Sequence, residues 1–166
     1  MAHDAGIVHR DLKPGNIFLE TQGDKTIAKV LDFGIAKALG PDVVGPGTKT
    51  GTLLGSPHYM SPEQARRSKD VDHRTDLWAL GVVAFRALTG RLPFPGKEVG
   101  DIIVRVCAEP VPVPSQIAPD LGRGVDRFIE RALQRDPAKR FQNARSMAET
   151  FAVLIGAPIR WDEPTC

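Results

Sequence analysis

The strongest constraint on the fold is the segment from Arg74 to Thr89, whose interior runs Leu77-Trp78-Ala79-Leu80-Gly81-Val82-Val83-Ala84-Phe85 with almost no polar position. Asp76 stands in its first turn and Gly90 just past its end, which predicts a helix over Arg74–Thr89. A helix without a polar face must be enclosed on all sides. The rest of the chain therefore has to wrap it. A sequence of 166 residues that is 42% hydrophobic can bury one modest core of this kind, so a single domain is expected.

The wrapping segments are legible from their 3.6-residue period. One spans Glu98 to Ala108 with Ile102, Ile103 and Val106 on one face; a second carries Val125, Phe128, Ile129, Ala132 and Leu133; a third carries Met147, Phe151, Leu154 and Ile155. Leu92-Pro93-Phe94-Pro95 reads as a rigid turn. Glu109-Pro110-Val111-Pro112-Val113-Pro114 reads as an extended connection rather than a ligand for a proline-binding module, because helical pattern resumes soon after it.

The chemistry is concentrated near the start, in His9-Arg10-Asp11-Leu12-Lys13-Pro14-Gly15-Asn16. Asp11 offers a proton acceptor, Lys13 a counter-charge for phosphate and Asn16 an oxygen ligand for a hard cation, a set suited to phosphoryl transfer. Ile7-Val8 before this loop and Ile17-Phe18-Leu19 after it read as short strands holding both ends. Gly23-Asp24 marks a hairpin between Leu19 and Ile27. At the end of the next apolar run stands Asp32-Phe33-Gly34, where a second carboxylate meets a glycine that lets the backbone turn. Asn16 and Asp32 form a candidate Mg²⁺ pair, and Asp11, Asn16 and Asp32 are expected to converge.

These motifs, followed by Ser61-Pro62-Glu63 and Asp76-Leu77-Trp78-Ala79-Leu80-Gly81, resemble the catalytic domain of protein kinases. Lys13, two residues after the aspartate, is similar to the serine/threonine branch, and the flavour is that of bacterial members. The resemblance implies a mainly α (α+β) fold over residues 1–155, the C-terminal lobe of such a domain, with short β-hairpins carrying the catalytic loop, the N-terminal lobe absent and 156–166 a tail. It implies Asp11 as catalytic base, Lys13 on the γ-phosphate, Asn16 and Asp32 on the Mg²⁺ of ATP, and Ser56 lining the acceptor site where the family usually has threonine. His9, Phe33 and Gly34 inherit structural roles. The stretch from Ile35 to Tyr59 becomes the activation segment, with Thr48, Thr50 and Thr52 as phosphorylation sites facing Arg10, or else solvated loop residues. Asp76 would bond the backbone of the catalytic loop, or simply cap its helix. Arg140, in Arg135-Asp136-Pro137-Ala138-Lys139-Arg140-Phe141, would pair with Glu63, the alternative being an exposed charge.

No Gly-x-Gly-x-x-Gly loop and no strand lysine with its partner glutamate precede His9. A protein kinase truncated in this way would need a separate small lobe or a full-length kinase as partner, besides ATP and a protein substrate. Two other readings remain, a non-catalytic docking module and a small-molecule phosphotransferase of the aminoglycoside-kinase type. The joint presence of Asp11, Lys13, Asn16 and Asp32 argues against the first, and the Asp32-Phe33-Gly34 and Ser61-Pro62-Glu63 blocks argue against the second. A formal net charge of +2 without a basic block argues against a nucleic-acid partner. Two cysteines, the lack of a signal-peptide pattern and the lack of an apolar run long enough for a membrane span point to the cytoplasm.

Overall fold

The apolar run does form one helix, α2, Arg74–Thr89. It organises the computed structural model, which describes residues 2–23, 25–32 and 57–157. Leu77, Trp78, Val82 and Phe85 are wholly buried, Arg74, Leu80, Val83 and Ala84 are partly covered, and only Arg86 and Ala87 in the last turn are exposed. At the N-terminus the first free N–H, that of Arg74, goes to Asp72 Oδ1 at 2.9 Å. At the C-terminus Gly90 takes φ +71°, a left-handed value that glycine adopts at little cost, and its N–H closes on the Arg86 carbonyl at 2.9 Å.

Ahead of α2 lie a 3-10 turn at His3–Ala5, another at Pro14–Asn16, strands β1 (Ile17–Gln22) and β2 (Lys25–Val30), a third 3-10 turn at Pro57–Tyr59, and the short helix α1 (Pro62–Ala65). Behind it come α3 (Val99–Ala108), α4 (Pro114–Ile117), α5 (Arg123–Ala132), a 3-10 turn at Pro137–Lys139 and α6 (Ala144–Ile155). Among the described residues the protein is mainly α with one two-stranded antiparallel sheet.

α5 presents Val125, Phe128, Ile129 and Ala132 to the core and packs on α2. Their approach is close because position 81 lacks a side chain: a Cβ there would lie 2.9 Å from Ala132 Cβ and 3.0 Å from Leu133 Cδ2. α6 closes over α5, with the Phe128 ring 5.1 Å from Phe151 and 5.3 Å from Phe141. α3 buries Ile102 and Val106 and packs on α1 and the Pro57–Tyr59 turn. Its C-terminal carbonyls are taken by Arg135, which donates to Arg105, Val106 and Glu109.

Two expectations need correction. Ile155 is 53% exposed, because it sits roughly 80° around the helix from the buried Met147, at the margin of the stripe. The chain enters the loop from the 3-10 turn at His3–Ala5, which is ended by Gly6 at φ +73°. Ile7-Val8 forms no strand: the Ile7 N–H is used locally on the Ala2 carbonyl at 3.0 Å, and Ile7 is half exposed. The hairpin is as expected, pairing Ile17 with Val30 through to Gln22 with Lys25, with Asp24 outside the described residues. Among the described residues no helix is long and apolar enough to cross a membrane.

Candidate active site

The loop His9–Asn16 is held from three directions. From α2, the Asp76 carboxylate accepts the His9 N–H on Oδ2 and the Arg10 N–H on Oδ1, both at 2.8 Å, in surroundings that leave Asp76 1% exposed. From α1, Gln64 Nε2 donates to the Arg10 carbonyl at 2.9 Å. From β2 and the residue after it, the Leu31 N–H donates to the Asn16 carbonyl at 2.9 Å, continuing the hairpin ladder by one pair. The buried His9 ring ties the two ends together. Its Nδ1 accepts the Asp11 N–H at 3.2 Å, which assigns the ring hydrogen to Nε2, 2.9 Å from the Leu31 carbonyl.

This over-determination is needed, because the backbone at Arg10 has φ +64° and at Asp32 φ +53°. Each left-handed non-glycine residue costs about 1–2 kcal/mol. Both lie beside the candidate chemistry.

Within the loop, Lys13 Nζ stands 3.0 Å from Asp11 Oδ2, and the two side chains are 30% and 23% exposed. Asn16 is 8% exposed and gives its Nδ2 to the Asp11 carbonyl at 2.9 Å. Its amide oxygen makes no hydrogen bond among the described residues. Asp32 follows Leu31 directly, so the bond from Leu31 to Asn16 sets it beside the loop; its carboxylate makes no hydrogen bond or ion pair among the described residues. Two hard oxygen donors, one neutral and one anionic, suit Mg²⁺. No group of three or more His, Cys, Asp or Glu placed to hold a metal occurs among the described residues.

On the far side of α2, Arg140 is fully buried and every N–H of its guanidinium is used. Nη1 and Nη2 each reach a Glu63 carboxylate oxygen at 2.7 Å, while Nε donates to Gln134, Nη1 to Arg74 and Nη2 to Arg135 carbonyls at 2.6, 3.1 and 3.2 Å. The guanidinium also lies 5.0 Å from the Trp78 ring centroid. Burial pushes the Glu63 carboxyl up, but the hydrogen bonds and charge of Arg140 outweigh it and leave the group below the usual 4.5.

Asp11, Lys13 and Asn16 are thus joined directly, His9, Arg10 and Asp76 support them, and Glu63 with Arg140 locks α1 to α2. Phe33, Gly34, Thr48, Thr50, Thr52 and Ser56 lie outside the described residues. Sequence reasoning missed Gln64 and His3, which contacts Asp76. For Gln64 a local signal existed: Ser61-x-x-Gln64 is a capping-box pattern, and the box is formed at α1. Its reach to Arg10, 54 residues away, had no local signal.

A family model described as the protein kinase domain matches residues 1–152. The chain is 42% identical over 160 residues to serine/threonine-protein kinase Pkn1 of Myxococcus xanthus, covering 96% of this chain and 23% of that protein. Against serine/threonine-protein kinase pkn3 of the same organism the identity is 43% over 157 residues, covering 92% and 28%. Against the probable serine/threonine-protein kinase PknB of Lactococcus lactis it is 36% over 163 residues, covering 98% and 25%. The chain spans about a quarter of the length of these relatives.

Proposed function

The chain belongs to the protein kinase domain family, and on that premise we propose that residues 1–155 are the larger, helical lobe of a serine/threonine protein kinase acting on protein hydroxyls. Residues 156–166 are read as a tail. The observation that carries the reading is the bonded set at the loop, with Lys13 on the Asp11 carboxylate and Asn16 on the Asp11 carbonyl. In this reading that set supplies a base, a cation and a metal-type oxygen from one short stretch.

In this reading Asp11 orients the acceptor hydroxyl and takes its proton as the oxygen attacks the γ-phosphorus of ATP. Lys13 turns from Asp11 to the negative charge gathering on the transferred group, and the bond to ADP breaks opposite the attacking oxygen. Asn16 Oδ1 and the Asp32 carboxylate would hold Mg²⁺, which supplies charge neutralisation on the phosphates. Ser56 lines the acceptor site. Phosphate on Thr48, Thr50 or Thr52 would be met by Arg10, next to the strained turn that carries Asp11.

The phosphate-covering elements that kinases use are not among these 166 residues. Phe18 is 54%, Leu19 63% and Leu31 45% exposed, apolar surface on and beside the hairpin that supports a small lobe covering it. The test is transfer of labelled phosphate from ATP to a protein acceptor. The 166-residue polypeptide alone is expected to transfer none; joined to a kinase small lobe it is expected to do so, and Asp11→Asn to lower the rate about 10²–10⁴-fold. Transfer indifferent to Asp11→Asn would refute the assignment of the base. Robust transfer by the polypeptide alone would refute the need for a covering lobe.

A further inference from the structure

Two elements clamp the Pro57–Tyr59 turn, and each brings a cation to it. From the last turn of α2, Arg86 Nη1 donates to the Tyr59 hydroxyl at 2.8 Å. From the loop after α2, the Gly96 carbonyl accepts His58 Nε2 at 3.2 Å, and Lys97 is the next residue. Arg91 comes between them in the chain, with its N–H on Thr89 Oγ1 at 3.2 Å.

The charge on this surface is of one sign. From Leu77 to Lys97 the chain carries Arg86, Arg91 and Lys97 and no carboxylate, and residues 57–62 carry none either. All three cationic residues are exposed, and none makes an ion pair among the described residues. The neighbouring acids are engaged elsewhere: Glu63 is held by Arg140, while Glu98 and Asp101 open α3, where they meet the positive end of its dipole. Arg86 complements the C-terminal dipole of α2, which accounts for one cation of the three; Arg91 and Lys97 lie beyond the helix.

The backbone that carries them is pinned. Phe94 stacks on Trp78 at 6.0 Å and 6°, and Gly96 lies so close to α3 that a Cβ there would fall 2.6 Å from Ile102 Cγ1. Arg91 and Lys97 are therefore in place before an anion arrives, which lowers the ordering cost of binding one.

We infer that this surface selects acidic segments of protein substrates, with carboxylates flanking the acceptor hydroxyl set against Arg86, Arg91 and Lys97. The inference rests on the function proposed above for one step: in that reading Ser56 lines the acceptor site, and Ser56 leads directly into the Pro57–Tyr59 turn. Exposed charges of this kind act through complementarity and encounter, so they set which substrate binds more than how fast phosphate moves.

Binding and transfer are measured separately. Fluorescent serine peptides that differ only in flanks of glutamate, glutamine or lysine are titrated against the 166-residue chain by anisotropy, beside a single-stranded oligonucleotide of the same charge as the glutamate peptide. The glutamate peptide is expected to bind about tenfold tighter than the glutamine peptide at about 0.05 M salt, and the difference to shrink below about threefold at about 0.5 M. Arg86→Glu reverses the charge yet keeps the contact, because the Tyr59 hydroxyl can then donate to the carboxylate. Combined with Arg91→Glu and Lys97→Glu, it is expected to make the lysine peptide the tighter binder. Where circular dichroism shows that the triple variant does not fold, Arg91→Glu with Lys97→Glu, both outside helices, is expected to remove most of the glutamate preference. In the chain joined to a kinase small lobe, the same substitutions are expected to raise KM for the glutamate peptide about tenfold and to leave kcat within about twofold. Wild-type binding indifferent to flank charge, or an oligonucleotide bound as tightly as the glutamate peptide, would overturn the inference, and phosphate transfer by the joined chain would then leave the proposed function standing. A preference that inverts in the variant supports the choice of acidic segments even where the joined chain transfers nothing, a result that would count against the proposed function alone.

Discussion

Arg140→Met is the most informative single change outside the catalytic loop. It keeps most of the side-chain volume against Trp78 and removes all five donors at once. Glu63, 11% exposed, is left with an uncompensated charge, and three main-chain carbonyls lose a partner. Breaking a buried pair from one side costs about 3–5 kcal/mol, a large share of a domain's net stability of about 5–15 kcal/mol. The loss should depend on pH in a defined direction. In the wild type the folded Glu63 carboxyl lies below 4.5, so its stabilisation is present above that value and disappears as pH falls through the lowered one. In the variant the lowering by Arg140 is gone and burial, the largest single cause, is opposed only by the hydrogen bonds from the Glu63 main chain and from Ser61, so the same carboxyl rises and opposes folding only at pH values where it is ionised. The gap between wild type and variant is therefore widest near neutrality and closes toward pH 4. Urea unfolding followed by far-ultraviolet circular dichroism at the two pH values measures it, and Glu63→Gln in the Arg140→Met background should recover part of the loss. Arg140→Lys, which retains the charge but not the fork, serves if the Met variant does not fold. A loss below about 1 kcal/mol at neutral pH, or a gap that widens in acid, would refute the reasoning.

Two further outcomes follow from backbone and packing. Gly81→Ala gains about 1 kcal/mol of helix propensity, but the new methyl meets Ala132 Cβ at 2.9 Å, and overpacking at a helix contact costs about 1–3 kcal/mol; a net loss in chemical denaturation is expected, and a gain would show that α2 and α5 part freely. Arg67 ends α1 at φ +53° in a Schellman arrangement, with the Ser68 N–H on Glu63 and the Arg67 N–H on Gln64 carbonyls, so Arg67→Gly should stabilise by about 1 kcal/mol, and unchanged or lower stability would mean that its side chain makes up the strain.

Helices and core were legible where the signal was periodic and long. α2 appears over the residues its apolar run predicts, and α5 and α6 bury the expected stripes except at Ile155. Short apolar pairs were not legible in the same way. Ile7-Val8 and Ile17-Phe18 look alike in isolation, yet only the second has a partner strand within hairpin reach, because a strand is defined by its neighbour rather than by its own residues. Asp11, Lys13, Asn16 and Asp32 were legible from their chemistry and spacing, whereas Asp76 on the loop and Arg140 on Glu63 came from motif resemblance, not from local pattern. The supports of that site had no such aid: Gln64 on the Arg10 carbonyl and His3 on the Asp76 carboxylate are contacts between residues 54 and 73 positions apart, each made by a side chain that is ordinary in its own segment.

The placement of strain gives these supports a common purpose. Arg10 and Asp32 flank the candidate chemistry in left-handed backbone, at a cost of about 1–2 kcal/mol each, while the one described non-glycine residue elsewhere with positive φ, Arg67, merely ends a helix. A loop left to itself would relax such strain and swing the Asp11 carboxylate away from Lys13 and Asn16. Here the Arg10 N–H is held by Asp76, its carbonyl by Gln64, and the Asn16 carbonyl by Leu31, so relaxation at Arg10 must break bonds to α2, α1 or the end of β2. Because α1 is itself fastened to α2 and α6's approach segment by Glu63 and Arg140, loosening that distant pair should reach the loop through Gln64. The enclosed helix that dominates the sequence is thus also the anchor against which the reactive loop is bent.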